Sequence, residues 1–471
     1  MDKLVASPAE AVADIKDGSS VAVGGFGLSH RFPSSLIVAL KEHGAKNLCV
    51  VCNGLGQPGA PTAHLLAENH QLSRLVTCFS ARPGVVSEAE RQVAAGELEV
   101  ELVPQGTLVE RMRAGGANIP AFYTPTAYGT DIAEGKEVRY FDGRPYVLEH
   151  GIKVDYAFLR AYKADRVGNL KFRGGSRNFN VSFAKAARVA IAEAEEIVET
   201  GELDPEDIDL PGVFVSRVVQ TTVHLDLGSF ARGGRRRGAE SARTYNDKPG
   251  LTRGQIAHRT ALLLEDGSYV NLGAGMPVQV SNFLRDRDVI LHAENGVLGY
   301  GGGVQDEDPN PDYHDAGGQF ITLKPGASFF ESVTSFEIAR SGRLYAVILG
   351  AYQVSEKGDL ANWATPEMAG GGIGGAMDLA VGAQRVMITM EHTDSQGRPK
   401  LVKECSYPLT VPERVSTVVT DLALLEKENG AFVLREIARG FDVDEVLALT
   451  DMRVEVPEHV GVLQDAIEAA S

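Results

Sequence analysis

Short β-branched apolar runs alternate along this chain with longer stretches whose apolar residues recur at helical spacing. The clearest runs lie at 20–24, 47–52, 187–192, 269–272, 289–292, 344–349 and 385–390. Strands alternating with helices predict βα units around a largely parallel sheet. Glycine clusters at the ends of the apolar runs, where strand gives way to loop and a backbone can approach a ligand closely.

The pattern repeats. Asp17-Gly18-Ser19-Ser20-Val21 leads into Gly24-Gly25-Phe26-Gly27, and Asp266-Gly267-Ser268-Tyr269-Val270 leads into Gly273-Ala274-Gly275-Met276-Pro277. Ala164-Asp165-Arg166-Val167-Gly168-Asn169-Leu170 is echoed by Val354-Ser355-Glu356-Lys357-Gly358-Asp359-Leu360, and an Ala/Arg/Val run follows each. Echoes in the same order predict two homologous halves. Residues 228–250 are rich in Gly, Arg, Ser and Asn, lack an apolar period and read as a flexible linker with a solvated Arg cluster. The expected domains are therefore 1–227 and 251–471, the second opening with a helix over 253–265.

A length of 471 residues suits two α/β domains better than one core. The net charge of −17 argues against nucleic acid or an anionic membrane as the main partner, and no apolar run reaches membrane-spanning length. The N-terminus has early acidic residues, no apolar core and no Arg-rich leader pattern, so a cytoplasmic location is expected. Cys49 and Cys52 form a C-x-x-C, but inside the apolar run Leu48-Cys49-Val50-Val51-Cys52. That placement predicts a buried strand and no metal or redox site.

Candidate chemistry centres on Val289-Ile290-Leu291-His292-Ala293-Glu294-Asn295-Gly296, which continues into the glycine-rich 299–303. A carboxylate at the C-terminal end of an α/β strand stands where such sheets bind ligands. The segment alone leaves open a solvated Glu on a surface Asn-Gly turn. The glycine loops at 24–27, 273–275 and 370–375 offer backbone N–H groups to an oxyanion or phosphate, or serve close helix-on-sheet packing. None continues into Gly-Lys-Ser/Thr, and Gly273-Ala274-Gly275 lacks the third glycine of a dinucleotide fingerprint.

Many of these segments together resemble one family. Gly24-Gly25-Phe26-Gly27-Leu28, Pro104-Gln105-Gly106-Thr107-Leu108, Ile119-Pro120-Ala121-Phe122-Tyr123-Thr124-Pro125, and Lys163 to Asn169 with Arg177-Asn178-Phe179-Asn180 look like the first subunit of 3-oxoacid CoA-transferases. Asn271 to Pro277, Glu294 to Gly299, Gly358 to Trp363 and Gly374 to Leu379 look like the second. The chain is similar to a fusion of both subunits, of the succinyl-CoA:3-ketoacid type.

The resemblance implies two similar open α/β/α domains, with the acyl group on the first half and CoA on the second, in a homodimer. It makes Glu294 the nucleophile and gives oxyanion and positioning roles to Asn53, Gln105 and Asn271. It places Gly273, Gly275, Gly375 and Ala376 at the CoA and thioester oxygen. CoA is a substrate, succinyl-CoA the commonest donor and acetoacetate the commonest acceptor, and no metal or permanent cofactor is implied. Residues 29–35 and 53–59 depart from the family pattern, so they are expected to tune the choice of acid. Three rivals have separate signatures. A hydrolase on the same scaffold would release acid and CoA without an acceptor, a dehydrogenase would need the missing glycine, and a sensor would need no nucleophile.

Overall fold

Strand Ser20–Val23 lies in the middle of an eight-stranded sheet, which is why Val21, Ala22 and Val23 are buried. In the computed structural model, which describes residues 2–27, 31–81, 86–225, 242–304 and 309–463, it pairs in parallel with Leu48–Gly54 and with Val154–Asp165. The sheet extends one way through Leu72–Phe79 and Glu99–Leu102, and the other through Ala187–Val198 and Arg217–Gln220, all parallel. Among the described residues of this sheet, Leu170–Lys171 alone runs antiparallel. Strand order reverses at Ser20–Val23, so the glycine loop 24–27 stands at the topological switch point, the crevice where open sheets take ligands.

The second half is an eleven-stranded sheet whose centre repeats the first. Ile290–Ala293, Tyr269–Leu272, Ala346–Leu349, Arg385–Thr389 and Val415–Val419 lie side by side in parallel. Their order matches Leu48–Gly54, Ser20–Val23, Val154–Asp165, Ala187–Val198 and Arg217–Gln220. The sequence echoes are thus a duplication of sheet topology. The edges differ: Ile290–Ala293 turns back antiparallel into Val297–Gly303 and Ile321–Phe329, and Val415–Val419 into Ala423–Glu428 and Ala431–Ile437.

Between the two sheets lie helices Gln105–Gly116 and Asn180–Ala186 of the first half, and Ser332–Arg340 and Ala376–Gly382 of the second. One apolar core runs through this layer, from Ala22 and Leu108 to Phe336, Leu379 and Val418. Separate clusters cover the outer face of each sheet. The inner helices approach closely: a Cβ on Gly382 would stand 1.9 Å from the Ala339 carbonyl oxygen, so glycine is required there.

Two sequence expectations need correction. The helix expected over 253–265 ends at Ala261, begun by a capping box between Thr252 and Gln255. The expected linker, 228–250, lies outside the described residues as far as 241. Its remainder, 242–250, is not a free linker but a two-stranded ribbon, Thr244–Tyr245 with Lys248–Pro249, docked on the second half. The Tyr245 hydroxyl donates to Asp421 at 2.8 Å and Lys248 to Glu445 at 2.7 Å. The Cys49/Cys52 pair lies inside a parallel strand, all four cysteines are free, and burial pushes the Cys52 thiol up to about 12.

Candidate active site

Glu294 follows strand Ile290–Ala293 directly, in a tight turn that returns as Val297–Gly303. The turn needs Gly296. Its φ is +100°, and a Cβ there would lie 1.9 Å from the Phe330 carbonyl oxygen. The Asn-Gly pair therefore does form a turn, but an enclosed one. Asn295 is fully buried, and Glu294 is partly buried with its pKa raised by burial, against hydrogen bonding from its own backbone N–H and from Asn271.

Asn271 sits on the neighbouring strand, in register with His292. Its Nδ2 lies 3.4 Å from Glu294 Oε2, 3.1 Å from the His292 carbonyl and 3.1 Å from His292 Nδ1. His292 Nε2 is 2.9 Å from Ser335 Oγ, which itself donates to the Ala293 carbonyl at 3.3 Å. These contacts close with the imidazole proton on Nε2 and Nδ1 accepting from Asn271. Burial lowers the His292 pKa to about 4, so the ring is neutral and acts as a fixed acceptor that aims the amide.

The first half meets the 370–375 loop of the second through its own strand ends. The Gly370–Gly375 loop region docks on the end of Leu72–Phe79, where Ser80 N–H donates to the Gly371 carbonyl at 2.9 Å and the Phe79 ring lies against Gly372 and Gly374. Gln105 opens the helix Gln105–Gly116, and its N–H donates to the Gly374 carbonyl at 2.9 Å. Its Oε1 would lie 3.1 Å from a Cβ on Gly375, so Gln105 and Gly375 are brought together. Gly375 and Ala376 begin the helix Ala376–Gly382, and no side chain caps it. Asp378 in that helix fixes the junction, accepting from Gly106 N–H at 2.9 Å, from Thr126 at 3.0 Å and from Arg340 at 3.3 Å.

Asn53 occupies the position in the first half that Glu294 occupies in the second. Val21 matches Val270 in the sequence echo, Val23 pairs with Cys52 and Asn271 with His292. Continuing each register places Asn53 beside Gly24 and Glu294 beside Gly273. Asn53 Oδ1 accepts from Gly27 N–H at 3.2 Å. Gly273 is packed, its N–H bonded to the Ile348 carbonyl at 2.9 Å, whereas Gly275 stands at the open rim with φ +89°. Among the described residues, no hydrogen bond joins Gly275 or Asn53 to Glu294.

Buried side-chain atoms left without a hydrogen-bond partner among the described residues include Asn53 Nδ2, Gln105 Oε1, Asn271 Oδ1, Asn295 Oδ1 and Asp315 Oδ2. Native interiors seldom leave such atoms unpaired, and functional sites are where they collect. Three belong to residues expected from the sequence. Asn295 and Asp315 were not expected as site residues. Asp315 is 2% exposed, and burial, opposed by loop N–H groups and reinforced by the charge of Glu294, pushes its pKa up to about 7. A lone Asp in a loop carries no sequence signal, since its burial arises from the loop folding back to bridge His314 with Phe320.

Of the segment 29–35, residues 29 and 30 lie outside the described residues. Arg31 crosses between the halves, binding Glu195 in the first and Asp312 in the second, where Arg173 also binds. Gly175 of the same first-half loop abuts the Asn295 amide, which donates to the His314 carbonyl at 2.8 Å.

The coenzyme A transferase family matches residues 5–221 and 254–449. The chain belongs to that family. Succinyl-CoA:3-ketoacid coenzyme A transferase 2A, mitochondrial, of Mus musculus is 41% identical over 97% of this transferase and 90% of its own length. The Homo sapiens succinyl-CoA:3-ketoacid coenzyme A transferase 2, mitochondrial, is 40% identical over 98% and 92%. In Bacillus subtilis, one subunit of a probable succinyl-CoA:3-ketoacid coenzyme A transferase matches 46% of the chain at 51% identity over 90% of its own length, as a fused first subunit requires. Among solved structures, an acyl-CoA transferase from E. coli O157:H7 in a thioester complex with CoA superposes with a TM-score of 0.79 at 19% identity, over 98% of this chain and 95% of its own. That likeness concerns the fold. The mammalian relatives are named mitochondrial, which contradicts the cytoplasmic location expected from the N-terminus. Helix Pro8–Val12 buries Ala11 and Val12 against the first sheet.

Proposed function

We propose that this transferase moves CoA from succinyl-CoA to a 3-oxo acid such as acetoacetate, through a thioester on Glu294. The observation that carries this reading is a partly buried carboxylate at a strand end, within reach of the Asn271 amide that His292 aims. Burial strips water from the carboxylate and makes it a better nucleophile once ionised. Glu294 attacks the thioester carbonyl, the C–S bond breaks, CoA leaves as thiolate and an acyl-glutamyl anhydride remains. The thiolate then attacks the glutamyl carbonyl and the donor acid leaves as carboxylate. The acceptor carboxylate attacks the resulting glutamyl thioester, and the same steps run in reverse. No proton is gained or lost overall.

Each tetrahedral oxyanion needs donors. The Asn271 amide, the Asn53 amide and the N–H groups of Gly375 and Ala376 supply them, and Gln105 holds the loop that presents Gly375. Such donors are worth about 3–4 kcal/mol of barrier each. The first half, 1–227, takes the acyl group, and the second, 251–471, carries Glu294 and receives CoA along the Gly273 and Gly275 loop. Arg31, on the segment that departs from the family, supports a role for 29–35 in choosing the acid. The protein acts as a homodimer on acyl-CoA and small acids.

A matrix of donors against acceptors tests this reading. Succinyl-CoA with acetoacetate should yield succinate and acetoacetyl-CoA in equal amounts. Without acceptor, CoA consumption should stop near one equivalent per site. Continuous release of free acid and CoA without acceptor would mean hydrolysis and would overturn the assignment.

A further inference from the structure

Away from Glu294, the C-terminal end of helix Ala376–Gly382 carries an unusual pair of cations. Arg414 donates through Nε to the Ala380 carbonyl at 3.1 Å and through Nη2 to the Ala383 carbonyl at 2.5 Å. Arg144 of the first half donates to the Val381 carbonyl at 3.4 Å. Among the described residues neither has a carboxylate in ion-pair range. The compensation is a helix end, worth roughly half a negative charge. Two full positive charges therefore remain largely unbalanced in a chain whose net charge is −17. Burial, and then the charge of Arg144, lowers the Arg414 pKa. The two guanidinium groups are thus close enough to repel.

Both arginines line a pocket of about 450 Å³ between the halves. Tyr128, Pro145, Pro412 and Gln384 form part of its wall. Its volume falls in the range of small-molecule sites, about 300–1,000 Å³. None of Glu294, Gln105, Asn271 or Gly375 lines it. The helix between the pocket and Gly375 spans about 10 Å at 1.5 Å per residue.

We propose that Arg144 and Arg414 form a second binding site, separate from that of Glu294, for a phosphate monoester dianion. Two guanidinium groups, through the N–H donors that the helix carbonyls leave, match a phosphate dianion in charge, whereas a single carboxylate would neutralise one of them. The flat Tyr128 ring and the proline walls suit an organic group attached to the phosphate.

Binding of AMP and of inorganic phosphate to the full chain, measured by calorimetry at low salt with CoA at saturation, tests the site. One saturable ligand per chain is expected. Arg144→Gln and Arg414→Gln should each weaken it about ten- to a hundredfold, the loss of charge-assisted hydrogen bonds. Arg414→Lys should weaken it less. Tighter binding of AMP than of phosphate would show that the walls hold the organic group, and equal binding that the free anion is the ligand. If Arg414→Gln unfolds the helix end, the test rests on the exposed Arg144. Absence of saturable binding, or binding indifferent to both substitutions, would overturn the proposal.

Discussion

At the scale of residues, Glu294 is a carboxylate held where its charge is disfavoured. Burial raises its pKa, so between the ordinary carboxylate range and the raised value the folded state binds more protons than the unfolded one. Stability therefore falls as pH rises through that window. Glu294→Gln removes the charge, and its Tm should exceed that of the parent at pH 8 and equal it near pH 4, while transfer falls on the order of a thousandfold or more. Glu294→Asp keeps the charge but withdraws it by one methylene, a misplacement that costs about a hundredfold. Asp315 obeys the same sign. With a folded pKa of about 7 and an unfolded one of about 4, it destabilises the fold progressively over that interval. Asp315→Asn should flatten the fall in stability between those pH values, read from urea midpoints. Strand, carboxylate and glycine standing together made Glu294 a candidate in the sequence, and the family resemblance chose it over a solvated surface turn. Asn53 was named through the family resemblance alone, and its correspondence to Glu294 emerges from the registers of the two sheets. Asp315 and Asn295 were not singled out, since their burial depends on segments that meet only in the folded chain.

At the scale of elements, strand ends decide the site. The apolar runs predicted several central parallel strands, because burial on both faces leaves a continuous apolar signature, but Val154–Asp165 was not among them and Ala187–Val198 continues well past its run. The antiparallel edges escaped notice. Val297–Gly303 is mostly glycine after Leu298 and carries no alternation to read, and Ile321–Phe329 is interrupted by Lys324, Pro325 and Gly326. The ribbon at 242–250 was read as linker because its anchors, Asp421 and Glu445, lie far away in sequence. Gly296 is the element-scale constraint with the clearest consequence. Its left-handed φ and its 1.9 Å approach to Phe330 O leave no room for a methyl group. Gly296→Ala should cost at least about 2 kcal/mol, combining backbone strain with displacement of the turn. Denaturant unfolding would check the cost, and transfer should fall with it because Glu294 moves.

At the scale of the whole molecule, the site belongs to neither half alone. The inner helices share one core, and Asp312 is bound by Arg31 and Arg173 from the first half while only 1% exposed. Removing one partner of such a buried group strands the others, typically at about 3–5 kcal/mol. Asp312→Ala should destabilise the chain by that order in urea unfolding. It should also loosen the approach of the halves, seen as faster hydrogen exchange across 173–180 and 310–320. The duplication itself was legible from the ordered echoes, and the shared helix layer was not, since sequence spacing does not say which helix faces which. The central claim, that Glu294 carries the CoA covalently between half-reactions, is tested most directly by peptide mass spectrometry of the enzyme incubated with succinyl-CoA and no acceptor. A CoA thioester on the peptide containing Glu294, discharged by acetoacetate and reduced to the alcohol by borohydride, is the expected result; an enzyme that turns over while that peptide never bears CoA would contradict it.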